Sequence, residues 1–136
     1  MLRITAGGLE FTARLEEAKA PKTVAALRAL LPLKGKLVQA RWSGEAAWLP
    51  LGWELDLGLG PENATAYPAP GELLLYPGGL SEAEILFPYG ATAFASKMGQ
   101  LAGNHFATVE DGRDRLVTLG EAILRRGAQD IVFALR

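Results

Sequence analysis

The sequence predicts a mainly β fold: a closed or nearly closed antiparallel eight-stranded barrel with two helices. Short apolar runs recur along the 136 residues and are separated by turns rich in glycine and proline. Only two stretches carry apolar residues at helical spacing. This pattern favours a barrel, although strand counting alone would also allow a sandwich. With no internal repeat and no linker, residues 1–136 are expected to form one domain.

The stretch GELLLYPGGLSEAEILFPYG, residues 71–90, predicts the central hairpin of this barrel. Its apolar runs, residues 73–76 and 85–87, each end in an aromatic residue followed by proline. Because proline has no backbone donor for a sheet, Pro77 and Pro88 are expected to end the two strands. The two glycines after Pro77 permit the chain reversal.

The N-terminal part predicts a hairpin followed by a helix. Residues 2–5 and 9–15 flank a pair of glycines, and the second run alternates apolar and polar residues. A helix is expected to begin at Pro21, which the first helical turn tolerates, and to end at Pro32.

A second hairpin is predicted from strands 36–42 and 45–49, joined by a two-residue turn at Ser43 and Gly44. That turn would set Arg41 opposite Ala46 and would place Arg41 on the same face as Trp48.

The remaining part of the chain predicts further strands and one helix. The helix is expected to start from an N-cap at Asp111, with Asp114 at its third position, and to stop at Gly127. The other elements are an extended segment at 53–59, a loop at 61–70, strands at 91–95 and 104–110, and a final strand at 129–134.

Composition argues against several functions. The net charge is −1 and no basic run offsets it, so neither nucleic acid nor a membrane is expected as a partner. The absence of cysteine and the single histidine, His105, exclude thiolate and multi-histidine metal sites, and no cofactor is expected. The N-terminus lacks the apolar run of a signal peptide, and no window is long enough to span a bilayer. Cytoplasmic localisation is therefore the default expectation.

Three segments resemble cyclophilins. KAPKTVAALRAL, residues 19–30, is similar to their first helix, and Arg41 falls where they place a catalytic arginine. GNHFAT, residues 103–108, falls where they have a strand that lines the same groove. The combination of RWSGEAAWLPLG, YPGG, EILFPYG and ASKMGQLAGNHF looks closer still to a small bacterial family of uncharacterised cyclophilin-like proteins. The resemblance implies an eight-stranded barrel with two helices, and it implies architecture more than function.

The same resemblance implies that the proline pocket of the isomerases is lost. At the positions of the pocket residues this chain has Glu45, Ala46 and Trp48 on one side of the groove, and His105 and Ala107 on the other. Loss of aromatic surface leaves little to hold a proline ring. His105 and Ala107 are expected to share the face that lines the groove, because they are two residues apart on one strand.

Seven side chains are candidate ligand contacts. Arg41 offers paired donors for a carboxylate or amide, although it could also be a surface arginine stacked on an indole. His105 could contact a ligand, act as a base with Glu45 or Glu84, or serve only as a structural hydrogen-bonding group. The candidates are Arg41, Trp48, Tyr89, Lys97, Gln100, Asn104 and His105.

The first functional hypothesis is that a small carboxylate- or amide-containing metabolite binds in a groove around Arg41 and His105. A peptidyl-prolyl isomerase and a structural or assembly protein without a ligand are the alternatives, and no catalytic residue is assigned. Strand parity requires at least one of Trp42, Trp48 and Trp53 to point outward, which suggests a homo-oligomer.

Overall fold

The structure, a computed structural model, describes residues 1–136. The strands are β1 (Leu2–Ala6), β2 (Leu9–Leu15), β3 (Leu33–Gln39), β4 (Gly44–Gly52), β5 (Ala64–Thr65), β6 (Glu72–Tyr76), β7 (Ala83–Thr92), β8 (Ala95–Ser96), β9 (Gly99–Gln100), β10 (Gly103–Asp111) and β11 (Gln129–Leu135). The helices are α1 (Pro21–Leu30) and α2 (Leu116–Arg126), and the second is preceded by a 3-10 turn at Arg113–Arg115. Neither helix is long and apolar enough to cross a membrane.

Eight of these strands form a closed antiparallel barrel. They follow the order β2-β1-β11-β3-β4-β7-β6-β10, and β10 pairs with β2 to close the ring. Closure removes the open edges of these eight strands, and only the two-residue strand β5, beside β10, ends the main sheet. The predicted closed barrel with two helices is confirmed, and the sandwich alternative is excluded.

Alternation along the strands gives the barrel wall two apolar faces. On β7, Ile85, Phe87 and Tyr89 join the large interior core, whereas Leu86 joins a smaller apolar cluster on the other side of the wall. We call this smaller group the outer cluster. It consists of Ala40, Ala46, Leu74, Tyr76, Leu86, Phe94 and Leu101. Part of the outer face of the barrel wall is therefore buried under other segments of the chain. The candidate site lies beside this outer cluster.

The central hairpin is present, with one correction. β6 pairs with β7, and Leu75 lies opposite Ile85. Pro77 follows the end of β6 as predicted, but Pro88 lies inside β7, which continues to Thr92. The β4–β7 register shifts directly beyond the Ala46–Pro88 pair, where β7 carries extra residues, and bulges are positions where a sheet tolerates proline.

The predicted two-residue turn between β3 and β4 is wrong. β3 ends at Gln39, and residues 40–43 form a wider turn. The register is therefore Gln39 opposite Ala47 and Val38 opposite Trp48. The Gln39 amide holds this wider turn, because it donates to the Gly44 carbonyl at 2.8 Å. Arg41 consequently lies in a turn and not in the middle of a strand.

Three other boundaries differ from the prediction. Residues 53–59 form no strand, because the barrel is closed without them, although Leu57 and Leu59 still pack on the core. Residues 91–95 are divided between the end of β7 and the start of the β8–β9 hairpin. Asp111 is the last residue of β10 and not an N-cap, because Gly112 with φ 102° turns the chain first. The predicted helix stop at Gly127 is confirmed.

Candidate ligand-binding site

A cavity of about 240 Å³ lies over the outer face of the barrel. The turn at residues 40–43, strands β4 and β7 and the β8–β9 hairpin form its walls. Its lining residues are Ala40, Arg41, Trp42, Ser43, Trp48, Ser81, Glu84, Ala95, Ser96, Lys97 and Leu101. The cavity thus brings together two cations, one acid and two indoles from distant parts of the chain.

Ser43 fixes two of these walls to each other. Its hydroxyl donates to the Ala95 carbonyl and accepts the Ala95 N–H, both at 3.1 Å. The Ser43 carbonyl also accepts the N–H of Ala93 at 3.0 Å. Because Ser43 is buried, these bonds hold the turn against the hairpin and set the width of the cavity.

Two cations without protein partners lie at the rim. Arg41 and Lys97 are exposed, and neither takes part in any of the eight ion pairs of the chain. The Arg41 guanidinium carbon lies 5.9 Å from the centre of the Trp42 ring, a cation-π distance. Both cations are therefore available to an anionic group that enters the cavity.

Trp48 supplies the apolar wall. Its side chain is half-buried on the outer cluster, and in the sheet it lies opposite Val38 on β3 and Leu86 on β7. An indole face beside two cations can pack against the apolar or aromatic part of a small molecule.

Glu84 is the acid of the cavity, and the residue is only 7% exposed. Its neighbours in register are Pro50 on β4 and Tyr76 on β6. Burial, together with a smaller contribution from the nearby charge of Glu82, raises the pKa of the Glu84 carboxyl to about 8. No hydrogen bond within the chain compensates this burial, and the carboxyl oxygens keep some contact with solvent. At neutral pH the empty cavity thus contains a carboxyl that is mostly protonated.

Three of the seven predicted ligand contacts, Arg41, Trp48 and Lys97, line this cavity. Tyr89 points into the barrel core, where its hydroxyl donates to the Gln39 side-chain carbonyl at 2.6 Å. Burial raises the pKa of the Tyr89 phenol. Gln100 is exposed on the β8–β9 hairpin and accepts a hydrogen bond from the Tyr67 hydroxyl at 3.2 Å.

Asn104 has a structural role, because its side chain joins three segments of the chain. Its side chain is 2% exposed and makes three hydrogen bonds. The amide donates to the Thr23 hydroxyl at 3.1 Å and to the Gly60 carbonyl at 3.0 Å, and its carbonyl accepts the Glu62 N–H at 3.0 Å. These bonds fasten helix α1 and the 53–63 segment to β10, and they leave no donor of the amide for a ligand.

Asn104→Ala is expected to lower the free energy of unfolding by about 2 kcal/mol, because it removes three hydrogen bonds of a buried side chain, although the Thr23 hydroxyl keeps its bond to Glu62. Chemical denaturation measures this change. Gln100→Ala is the control, because Gln100 is exposed and its side chain accepts only one hydrogen bond, from the Tyr67 hydroxyl at 3.2 Å. Equal effects of the two substitutions would contradict the structural role of Asn104.

His105 lies outside the cavity and is half-buried. Its Nε2 is 2.8 Å from the Thr108 hydroxyl, which donates to Glu16 at 2.9 Å. Neither predicted acid partner hydrogen-bonds to the imidazole, since Glu84 lines the cavity and Glu45 accepts the N–H of Ala91. The histidine is thus part of a polar network at a different place on the barrel surface.

The expected shared face of His105 and Ala107 is wrong. His105 lies opposite Leu74 of the outer cluster, whereas Ala107 lies opposite Leu73 of the interior core. A register shift between them changes the strand parity. The two residues therefore do not line one groove.

Sequence reasoning considered Glu84 as a partner of His105, or with Glu82 as a solvent-exposed carboxylate of a turn, and did not recognise it as a buried cavity residue. The available signal was an acid directly before four apolar or aromatic positions in EILFPY. An acid at the start of a buried strand either extends into solvent or is enclosed by other segments, and only the tertiary structure distinguishes these outcomes. No group of three potential metal-ligating side chains is present.

The fold and the cavity together define a small closed β-barrel protein with a polar surface cavity. The chain belongs to the DUF3830 family, described as proteins of unknown function, whose profile matches residues 2–135. No curated protein matches the sequence.

Two solved structures share the fold. The first is McbB in complex with tryptophan, which has a TM-score of 0.77 and 17% identity over 100% of this chain and 45% of the McbB chain. This chain thus spans less than half the length of McbB. The second is the solution structure of the hypothetical protein AF2241 from Archaeoglobus fulgidus, which has a TM-score of 0.61 and 20% identity over 98% and 92% of the two chains.

Proposed function

We propose that this protein binds a small carboxylate- or amide-containing metabolite in the cavity around Arg41. The observation that supports this most is the pair of unpartnered cations, Arg41 and Lys97, beside the half-buried indole of Trp48. The proposed site no longer includes His105, which lies elsewhere on the barrel. We also propose that the protein is related to the cyclophilins, with Arg41 at the position of the arginine that lines their groove.

The size of the cavity restricts the ligand. Small-molecule pockets commonly have volumes of about 300–1,000 Å³. At about 240 Å³ this cavity suits a metabolite and not a folded partner or a large cofactor. Arg41 offers planar paired donors, which suit a carboxylate best and an amide carbonyl second.

The structural relatives are compatible with this class of ligand. McbB has been solved in complex with tryptophan, a small molecule that carries a carboxylate. At 17% identity this likeness concerns the fold, and it supports only the idea that such a barrel can belong to a protein that binds a small ligand.

Peptidyl-prolyl isomerisation has less support. Ala107, at a position where the resemblance requires a proline-stacking aromatic, lies inside the barrel core with no exposed surface. The wall beside Arg41 includes a buried acid, Glu84, and a proline ring gains nothing from that neighbour.

Arg41→Ala is expected to weaken carboxylate binding at least about tenfold, because a hydrogen bond to a charged group contributes about 1.5–3 kcal/mol. Native mass spectrometry of the freshly purified protein, followed by denaturation, identifies any co-purified ligand. Calorimetry on the parent and the variant then gives the affinity ratio. Arg126→Ala is the matched control, since Arg126 is an exposed arginine of helix α2 outside the cavity.

Two results would contradict the proposal. One is a parent protein that binds no carboxylate or amide metabolite from a broad set. The other is binding that is equally strong in the parent and in Arg41→Ala.

A further inference from the structure

We infer that the ligand carries a protonated amine as well as a carboxylate, and that Glu84 binds the amine while Arg41 and Lys97 bind the carboxylate. The ligand class is then an amino acid or a similar small zwitterion. This inference rests on the proposed function, because it concerns the same cavity.

Glu84 differs from every other buried polar side chain of the protein. Five polar side chains are buried, and the other four, Thr12, Thr23, Ser43 and Asn104, have hydrogen-bond partners within the chain. Glu84 alone has no side-chain hydrogen bond within the chain, and it lines the cavity, where its carboxyl oxygens keep some contact with solvent. An almost enclosed carboxyl loses most of its contact with water, and no hydrogen bond within the chain offsets that cost. A ligand group is the partner that the cavity can supply.

The charges around the cavity determine what that ligand group is. The titratable groups near Glu84 are Glu82 before it in the chain, Tyr76 opposite it on β6, and the cavity cations Arg41 and Lys97. Neither cation forms an ion pair with Glu84, although all three line one cavity. A molecule with a positive group at Glu84 and a negative group at the cations would complement both ends at once. A simple carboxylate would leave the Glu84 carboxyl unpaired.

The amine requires the ionised form of Glu84, whereas the empty cavity contains mostly the protonated form. Binding of the ammonium should therefore release about one proton at pH 7. The affinity should rise almost tenfold per pH unit as the pH approaches the pKa of Glu84 from below. A ligand that only accepts a hydrogen bond from the protonated carboxyl would bind with nearly constant affinity below that pKa and more weakly above it, and it would release no proton.

Calorimetry with matched ligands tests the inference. The probes are phenylalanine and leucine, each with its desamino analogue, hydrocinnamate or isocaproate. In the parent, at least one amino acid is expected to bind at least about tenfold more tightly than its analogue. Glu84→Gln should remove this advantage. Glu54→Gln should retain it, because Glu54 is exposed and lies outside the cavity. Titration in buffers of different ionisation enthalpy measures the released proton in the parent and its loss in Glu84→Gln.

The failure of this inference is distinguishable from the failure of the proposed function. If an amino acid and its desamino analogue bind equally, or the analogue binds more tightly, the amine has no role and the carboxylate site stands alone. The same conclusion follows if Glu84→Gln leaves the affinity ratio unchanged. If none of the four probes binds, both proposals are overturned for this ligand class.

Discussion

Glu84→Gln is expected to stabilise the ligand-free protein by about 3 kcal/mol at pH 7. The carboxyl has an ordinary pKa of 4.5 and a pKa of about 8 in the folded protein. Each unit of pKa difference corresponds to about 1.4 kcal/mol. Because pH 7 lies about 2.5 units above the ordinary pKa, about 2.5 units of the difference contribute to the free energy of unfolding at that pH. Glutamine has nearly the same shape and never ionises, so it removes this cost.

The pH dependence of this stabilisation shows whether the ionisation of Glu84 is its cause. Between the two pKa values the folded protein retains a proton that the unfolded chain has released, so the stability of the parent falls as the pH rises from about 4.5 to about 8. Below this window both states are protonated, and the advantage of Glu84→Gln should disappear. Urea unfolding at several pH values measures the difference. Glu54→Gln serves as the exposed control, and a constant difference at all pH values would contradict the explanation.

Gly120→Ala is expected to destabilise the protein by about 3 kcal/mol. A β-carbon at position 120 would lie 2.2 Å from Cδ1 and 2.4 Å from Cε1 of Tyr89. The Tyr89 ring is buried, and its hydroxyl is fixed to Gln39, so it cannot move aside without losing that bond. Overpacking of this kind costs about 1–3 kcal/mol and occasionally more. Helix propensity alone would predict the opposite sign, a gain of about 1 kcal/mol for alanine in a helix interior.

A double-mutant cycle with Tyr89→Leu tests this explanation. The smaller side chain should make room for the new methyl group, so that Gly120→Ala costs much less in the Tyr89→Leu background. Thermal or urea unfolding of the four proteins gives the coupling free energy. Additive effects would show that Tyr89 is not the obstacle.

The binding prediction for Arg41 and the zwitterion prediction for Glu84 can fail separately from these two stability predictions. These stability predictions concern the burial of Glu84 on β7 and the contact between α2 and Tyr89, and neither requires a ligand. An unfolding profile that follows the expected pH dependence would establish that the carboxyl is buried, even if no ligand of the proposed class were found.

Local signals in the sequence were sufficient for most of the fold. The strands 9–15 and 104–110 show clear patterns of apolar residues, and the structure contains both. Pro21 and Gly127 correctly marked the start of α1 and the end of α2. These features depend on the backbone preferences of single residues and on the spacing of apolar side chains along the chain. Both are properties of the local sequence.

The candidate site was only partly predictable. Arg41, Trp48 and Lys97 were recognised as candidates, and they line one cavity. His105 was assigned to the same groove on strand parity, but the register shift in β10 invalidated that argument. Asn104 is polar and adjacent to a loop, yet its amide is occupied by Thr23, Gly60 and Glu62 from distant parts of the chain.

The sequence by itself determined the class of fold, the two helices and most strand positions. Only the tertiary structure decided the width of the turn that carries Arg41, the shift that separates His105 from Ala107, and the enclosure of Glu84. Each of these depends on how distant segments meet when the barrel closes. The hydrogen bond between Ser43 and Ala95 and the close approach of Tyr89 to Gly120 are two examples. No sequence pattern within one segment predicts such contacts. Burial that changes the pKa of a carboxyl is a property of the assembled neighbours, which the chain acquires only on folding.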